Sequence, residues 1–320
     1  MNIERELPSD FRALGKEIEH KDCGRRLDEF LAEQFPFLTR SSWKKRIKND
    51  EVLINRKAVR AAYRLRVDDS ICYFHPQVSE PEVDRKIEVL WEQDGIIAVY
   101  KPSNLPMHEG GRYFKNTFSE VIREKLGHEW AAVHRLDRET SGIVLCAGTP
   151  ELRAKLSEEF RHRVMKKVYI AFVRGIPTND QWSVNEKIGD YPHSSFRLKK
   201  WVVQDGLPSQ TFFEVVEKTN SHCYLRVLPL TGRTHQIRIH AAWYGLPLVG
   251  EKKYYPDESV FLEYMDHGLT ERVLRLTEAD RLCLHAACLS FLHPVTEKLV
   301  ELECPVPEDM QSIWKQLADS

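Results

Sequence analysis

Three features are scarce in this 320-residue sequence, and each absence removes a class of function. No apolar run approaches the roughly 20 residues that a helix needs to cross a bilayer, so no membrane protein is expected. The opening Met1-Asn2-Ile3-Glu4-Arg5-Glu6 lacks a basic segment followed by an apolar one. No export leader is therefore expected, and the chain reads as cytoplasmic. Paired cysteines are missing as well. Cys23, Cys72, Cys146, Cys223, Cys283, Cys288 and Cys304 are odd in number, scattered, and nowhere spaced C-x-x-C. They read as reduced, mostly buried thiols. Cys283 and Cys288 flank His285, but a zinc site needs closer pairs and a second pair elsewhere, so no metal is expected. There is no internal repeat and no low-complexity tract.

What is present describes a globular protein with a sizeable core: 42% hydrophobic, 10% aromatic and 30% charged residues. The length exceeds what one core usually organises, so two domains are expected, one of them small. The net charge of −1 hides a strong asymmetry. Between Arg40 and Arg66 stand ten basic residues (Arg40, Lys44, Lys45, Arg46, Lys48, Arg56, Lys57, Arg60, Arg64, Arg66) against Asp50 and Glu51.

Leu27, Phe30, Leu31 and Phe35 fall at helical spacing, and Pro36 interrupts them. A second helix is expected from an N-cap at Thr39, Ser41 or Ser42 to about Lys48, with Trp43 and Ile47 facing inward. On it Arg40, Lys44 and Lys48 recur every four residues and form one stripe beside Lys45. Like charges this close cost stability unless an anion compensates. Val52 to Val59 then reads as a hairpin turning at Asn55-Arg56. Taken alone the run is a solvated helix face. Helix, helix and basic hairpin together resemble the S-four-type RNA-binding domain, over about Gly24 to Phe74. The resemblance implies that Arg40, Lys44, Lys45, Lys48, Arg56 and Lys57 hold RNA phosphates through counterion release, with little sequence choice.

The expected division is an N-terminal extension (1–23), the RNA-binding domain (24–76), a polar linker (77–86) and a second domain (87–320). In the second domain Ile87–Trp91 and Ile96–Tyr100 read as strands joined by Asp94-Gly95, a favoured hairpin turn. Further strands are expected at Ile143–Cys146, Val168–Val173, Thr211–Val216 and Cys223–Leu228. Helices are expected at Phe118–Leu126, Leu152–Phe160 and His235–Trp243. The fold class is therefore α+β, with a mixed, largely antiparallel sheet flanked by helices, plus the small α/β N-terminal domain.

The densest cluster of polar groups is His134-Arg135-Leu136-Asp137-Arg138-Glu139-Thr140-Ser141-Gly142. Taken singly, Asp137 is a turn residue bonding nearby backbone. A protein-kinase catalytic loop is excluded, because no Gly-rich phosphate loop precedes it and no Asp-Phe-Gly follows. A glycoside hydrolase needs two carboxylates flanking the bond, and Asp137 and Glu139 in one tight turn do not face each other that way. The nine residues match, position by position, the H-R-L-D-x-x-T-S-G loop of RluA-type RNA pseudouridine synthases. Four further segments follow the family order. Lys101-Pro102 to His108 resembles K-P-x-G-L-x-x-H, with Asn104 in place of the usual glycine. Lys167 to Ala171 resembles K-x-Y-x-A. Gly232 to His240 is similar to G-R-T-H-Q-I-R-x-H. Leu284-His285-Ala286 with Phe291 to Pro294 matches L-H-A…F-x-H-P.

The resemblance implies a pseudouridine synthase fold and isomerisation of uridine to pseudouridine in structured ribosomal or transfer RNA. The bond from ribose C1′ to ring N1 breaks and one to ring C5 forms. No electrons are gained or lost, so no cofactor is expected. The resemblance makes Asp137 the catalytic carboxylate, as nucleophile or as base at the ribose. Arg238 would hold its pKa down by a bidentate pair, with Arg233 on another side of the same helix facing a phosphate. Tyr169 would stack on the uracil and help remove the C5 proton, with Leu284 against the other face. His134 and Thr140 would shape the loop or hold phosphates. Arg135 and Arg138 would stand in for the pairing and stacking that a flipped nucleotide gives up, and Lys101 and His108 would complete the substrate site. Pro106 to Phe114 is similar to the family's transfer-RNA branch. The expected partner is RNA, with no DNA and no membrane, and the expected state is a monomer. The alternative is an RNA-binding protein without catalysis, which leaves the second domain idle.

Overall fold

The computed structural model describes residues 11–13, 18–35, 39–74, 80–162, 165–196 and 199–319. Pro36 and residues 77–79 of the expected linker lie outside them. The chain divides into two compact units, Met1–Pro81 with Gly110–Arg112, and Glu82–Glu109 with Tyr113–Ser320.

The N-terminal unit comprises β1 (Phe11–Ala13), α1 (Leu27–Gln34), α2 (Arg40–Lys48), β2 (Val52–Ile54), β3 (Lys57–Ala58) and β4 (Ile71–Phe74). Its sheet order is β1-β4-β2-β3, all antiparallel. Thr39 caps α2 by accepting the Ser42 N–H at 3.2 Å. Asn55 and Arg56 both adopt positive φ (48° and 64°), which gives the two-residue hairpin turn its twist. Leu27, Phe30, Leu31, Trp43 and Ile47 from the helices bury against Val52, Ile54, Ile71 and Tyr73. Each such side chain contributes about 1.5–3 kcal/mol. Like-charged helix neighbours cost only about 0.2–0.5 kcal/mol per pair, so packing easily carries the basic stripe. The stretch before residue 24 is more than an extension. Its β1 pairs with β4, and Ile18 joins the core.

The second unit continues with β5 (Glu88–Gln93), β6 (Ile96–Lys101), α3 (Phe118–Leu126), β7 (Ala131–Ala132), β8 (Ser141–Ala147), α4 (Pro150–His162) and β9 (Lys166–Arg174). Then follow β10 (Gln181–Val184), β11 (Ile188–Asp190), β12 (Lys200–Val202), β13 (Thr211–Lys218), β14 (His222–Pro229) and α5 (Gln236–Trp243). It closes with α6 (Ser259–His267), α7 (Glu271–Thr277), β15 (Leu284–Leu292), β16 (Leu299–Glu303) and α8 (Glu308–Ala318). One sheet runs β10-β13-β14-β9-β15-β8-β6-β5, with β16 on β15 and β7 on β8. Every pairing is antiparallel except β15 with β8. Strands β11 and β12 form a separate hairpin.

The two-residue period of a strand sends alternate side chains to opposite faces. On β9, Ala171 and Val173 pack with Ile237 and Ala241 of α5, whereas Phe172 packs with Met310 and Trp314 of α8. Lys167 and Tyr169 share the parity of Ala171, so they stand on the face that carries α5.

Candidate active site

The loop from His134 to Thr140 leaves β7 and enters β8 through Gly142. At Gly142 φ is +122°, and a Cβ there would lie 2.3 Å from the Ala286 carbonyl oxygen. Only glycine permits this parallel approach of β8 to β15, where Ala286 pairs with Gly142. Ser141 locks the same junction, bonding His285 Nδ1 and accepting from Arg281 Nη2, each at 2.9 Å. Burial, outweighing the opposing hydrogen bond to the Cys304 carbonyl, pushes the His285 imidazole down to about 4, so it is neutral. Its Nε2 donates to the Cys304 carbonyl at 3.1 Å.

Lys101 fastens the loop from beneath. Its fully buried ammonium donates to the carbonyls of Pro102 and Leu105 at 2.8 Å and of Arg138 at 3.1 Å. Burial pushes this amine down to about 7, with Asp137 acting in the opposite sense. An ammonium has three N–H donors, and all three are taken. Lys101 therefore braces backbone and does not face the cleft. His108 is exposed, bonds Ser119 Oγ through Nδ1 at 2.9 Å, and does not line the cleft either. His134 lies against Phe160, ring centroids 4.4 Å apart, and its Nε2 accepts the Leu145 N–H at 3.0 Å. Burial first, then Lys167, pushes it down to about 3.

Asp137 sits in a cleft of about 360 Å³. The lining includes Arg135, Thr140, Lys167, Tyr169, Arg233, Arg238 and Leu284. Distant stretches of sequence thus meet in one place. Arg135 is exposed, whereas Thr140 is buried with its hydroxyl unpartnered among the described residues. Burial, reinforced by the Asp137 charge, pushes the Tyr169 phenol far above its usual value. It is therefore protonated at neutral pH. Arg138 does not point at open solvent. It donates to Tyr113 Oη at 2.9 Å and Tyr264 Oη at 3.3 Å.

Two expectations for the arginines need correction. Arg233 is not on a helix. It lies in the turn before α5, donating Nε–H to the Pro208 carbonyl at 3.2 Å, while Gln236 Oε1 accepts its backbone N–H at 3.0 Å. Arg238 is on α5, but its bidentate partner is Glu251, at 2.7 Å from Nε and 2.8 Å from Nη2. Nη1 reaches Asp137 Oδ2 at only 3.5 Å, and Nη2 is also 3.4 Å from Glu139. The sequence carries no local sign of this, because Glu251 lies 13 positions beyond Arg238 in a loop. Burial works against the Arg238 charge, but Glu251, then Glu139 and Asp137, outweigh it and raise its pKa well above normal. Burial likewise pushes Glu139 up, and Arg238, Lys252 and Arg138 outweigh that and hold it below the usual range. His235 occupies the left-handed region (φ 57°), bonds Tyr254 Oη at 2.6 Å and lies 3.8 Å from Asp137. Burial, then Arg238, pushes it well down, so it is neutral.

In the N-terminal unit the basic stripe is partly compensated from within. Fully buried Asp28 accepts from Arg26 at 3.0 Å and Arg40 at 2.9 Å, with Lys44 at 3.6 Å, and Arg40 also meets Glu29 at 2.8 Å. Lys45, Lys48, Arg56 and Lys57 are exposed, and among the described residues no carboxylate pairs with them.

The RNA pseudouridylate synthase family profile matches residues 95–243, and the S4 domain profile matches residues 25–71. The chain is 32% identical to ribosomal large subunit pseudouridine synthase C of Escherichia coli (strain K12), over 93% of this chain and 95% of that one. It is 30% identical to the protein of that name from Vibrio vulnificus (strain CMCP6), over 95% and 96%. Among solved structures, human RNA pseudouridylate synthase domain containing 4 shares the fold, with a TM-score of 0.57 at 22% identity, covering 72% of this chain and 92% of that one.

Proposed function

The chain belongs to the RluA family and is an RNA pseudouridine synthase, and from that premise we propose that it modifies large-subunit ribosomal RNA in the cytoplasm, acting as a monomer, with Asp137 as its catalytic carboxylate. The names of the relatives favour ribosomal over transfer RNA. One observation carries the assignment of Asp137: it stands 3.5 Å from a buried arginine, in a cleft also lined by Tyr169 and Leu284.

A uridine flipped from structured RNA brings its base between Tyr169 and Leu284 and its ribose to Asp137. The arginine sets its positive charge 3.5 Å from the acid. Asp137 then either bonds C1′ or takes a ribose proton, and in both cases the N1 electron pair stays with the uracil. The ring turns within the cleft, C5 bonds C1′ as the Asp137–C1′ bond breaks or the ribose proton is returned, and the C5 proton leaves while N1 takes up a proton. Exposed Arg135 offers a charge to the flanking backbone, while Lys45, Lys48, Arg56 and Lys57 supply sequence-independent affinity. Arg233 and Thr140 line the same cleft and complete the nucleotide site. Mapping pseudouridines in ribosomal RNA from cells with and without this protein tests the proposal. Loss of one or more large-subunit sites is expected. An unchanged large-subunit map together with lost transfer-RNA sites refutes the choice of RNA.

A further inference from the structure

More carboxylates gather around Arg238 than a single catalytic acid requires. Besides Asp137, both Glu139 and Glu251 converge on Arg238, and Glu251 is the more enclosed, with none of its side chain exposed. Its position is fixed by the chain. Gly250, at φ +78°, would place a Cβ 1.7 Å from the Arg281 carbonyl oxygen, so the backbone passes where only glycine fits. The next residue then turns inward, and its Oε1 accepts the N–H groups of Lys253 at 2.8 Å and Tyr254 at 3.0 Å. The Tyr254 ring faces the guanidinium, 5.4 Å from its centroid, and the Tyr254 hydroxyl holds His235.

We propose that Glu251 is the positioning residue of the active site: it, and not Asp137, is the standing counter-ion of Arg238. This rests on Asp137 being the catalytic carboxylate. During the reaction Asp137 gives up its negative charge, whether by bonding C1′ or by taking a proton, while the N1 electron pair moves onto the uracil. An arginine neutralised by Asp137 alone would at that moment be buried without a partner, or would swing after the departing charge. Held through Nε and Nη2 by Glu251, it stays in place with Nη1 turned toward the acid. The long 3.5 Å contact sets the guanidinium charge beside Asp137 without tying up its oxygens in a tight fork.

The test uses the full-length protein and [5-³H]uridine-labelled ribosomal RNA from cells lacking it, under single-turnover conditions. Glu251→Gln is expected to lower the rate about 100-fold, as a displaced catalytic group does, with RNA affinity unchanged. Removing a negative charge from the cluster also moves the acid limb of the pH–rate profile to lower pH. Glu251→Asp keeps the charge, so its acid limb stays at the wild-type position and part of the rate returns. A wild-type rate and unmoved limb in Glu251→Gln overturn the proposal, as does the same rate loss in both variants with neither limb moved. A crystal structure of Asp137→Asn decides independently, including where Glu251→Gln is too unstable to assay. The Arg238–Glu251 pair intact is the expected result, and Arg238 displaced overturns the idea. Inactivity of the wild-type protein on this RNA would instead count against the proposed substrate.

Discussion

Replacing Arg238 by methionine removes one charge and keeps most of the volume, which makes it a clean test of how the site is held. In the wild-type protein the arginine side chain is 4% exposed, Glu251 is 0% and Glu139 is 15%. Removal leaves two carboxylates enclosed by protein, Glu251 with two backbone N–H donors and Glu139 with Lys252 at 3.9 Å and Arg138 at 3.8 Å. Breaking a buried pair on one side costs about 3–5 kcal/mol. For a unit of this size that corresponds to a melting temperature lower by about 6–20 °C. The pH dependence has a definite sign. In the wild type Glu139 is held below its ordinary 4.5, so its stabilisation is present above that pH and is lost as pH falls through the folded value. In Arg238→Met burial dominates and raises the Glu139 carboxyl, so the variant is penalised at neutral pH and relieved as pH falls. The gap between the two proteins should therefore narrow as pH is lowered toward 4.5. Calorimetry over a pH series reads both quantities. A melting temperature equal to wild type, or a gap that does not change with pH, refutes the charge-cluster account.

Two other perturbations have definite outcomes. Gly142→Ala places a methyl group against the Ala286 carbonyl at a φ that L residues rarely adopt, so β8 and β15 must separate. A loss of at least about 1–3 kcal/mol with loss of turnover is expected, read by thermal melting and tritium release. Lys48→Met and Lys57→Met each remove a cation that no described carboxylate holds. Each should weaken RNA binding irrespective of sequence and lower the slope of log K against log salt by about 0.7–0.9. Arg40→Met should instead destabilise the N-terminal unit, because it also breaks the contact with buried Asp28.

Where a segment announced itself locally, the sequence sufficed. The α3 helix runs over Phe118–Leu126 as expected, with Thr117 capping it through the Glu120 N–H. The Asp94-Gly95 turn joins β5 to β6 because both residues tolerate positive φ. Strand β15 was harder to see. It is central, and its first four residues, Leu284 to Ala287, are all buried, so that half shows no alternation. The hairpin of β11 and β12 and helices α6 and α7 lack any motif, and their few apolar residues show no regular buried face. The site divides along the same line. Arg238 could be singled out by motif, but its tight partner Glu251 could not, since nothing in a loop glutamate's neighbours indicates which distant cation it meets. Lys101 and His108 show the reverse error: a matched segment places them near the catalytic loop, yet only coordinates distinguish a lysine bracing three carbonyls from one facing substrate. Arg40 and Lys44 look free in sequence because Asp28, their anion, sits on the preceding helix.

The most direct measurement is release of tritium from [5-³H]uridine in large-subunit ribosomal RNA by the wild-type protein and by Asp137→Ala, with RNA affinity measured in parallel. Release by the wild type, and none by a folded variant that still binds RNA, is the predicted result. Undiminished release by that variant would show that the carboxylate beside Arg238 is not the one that reacts.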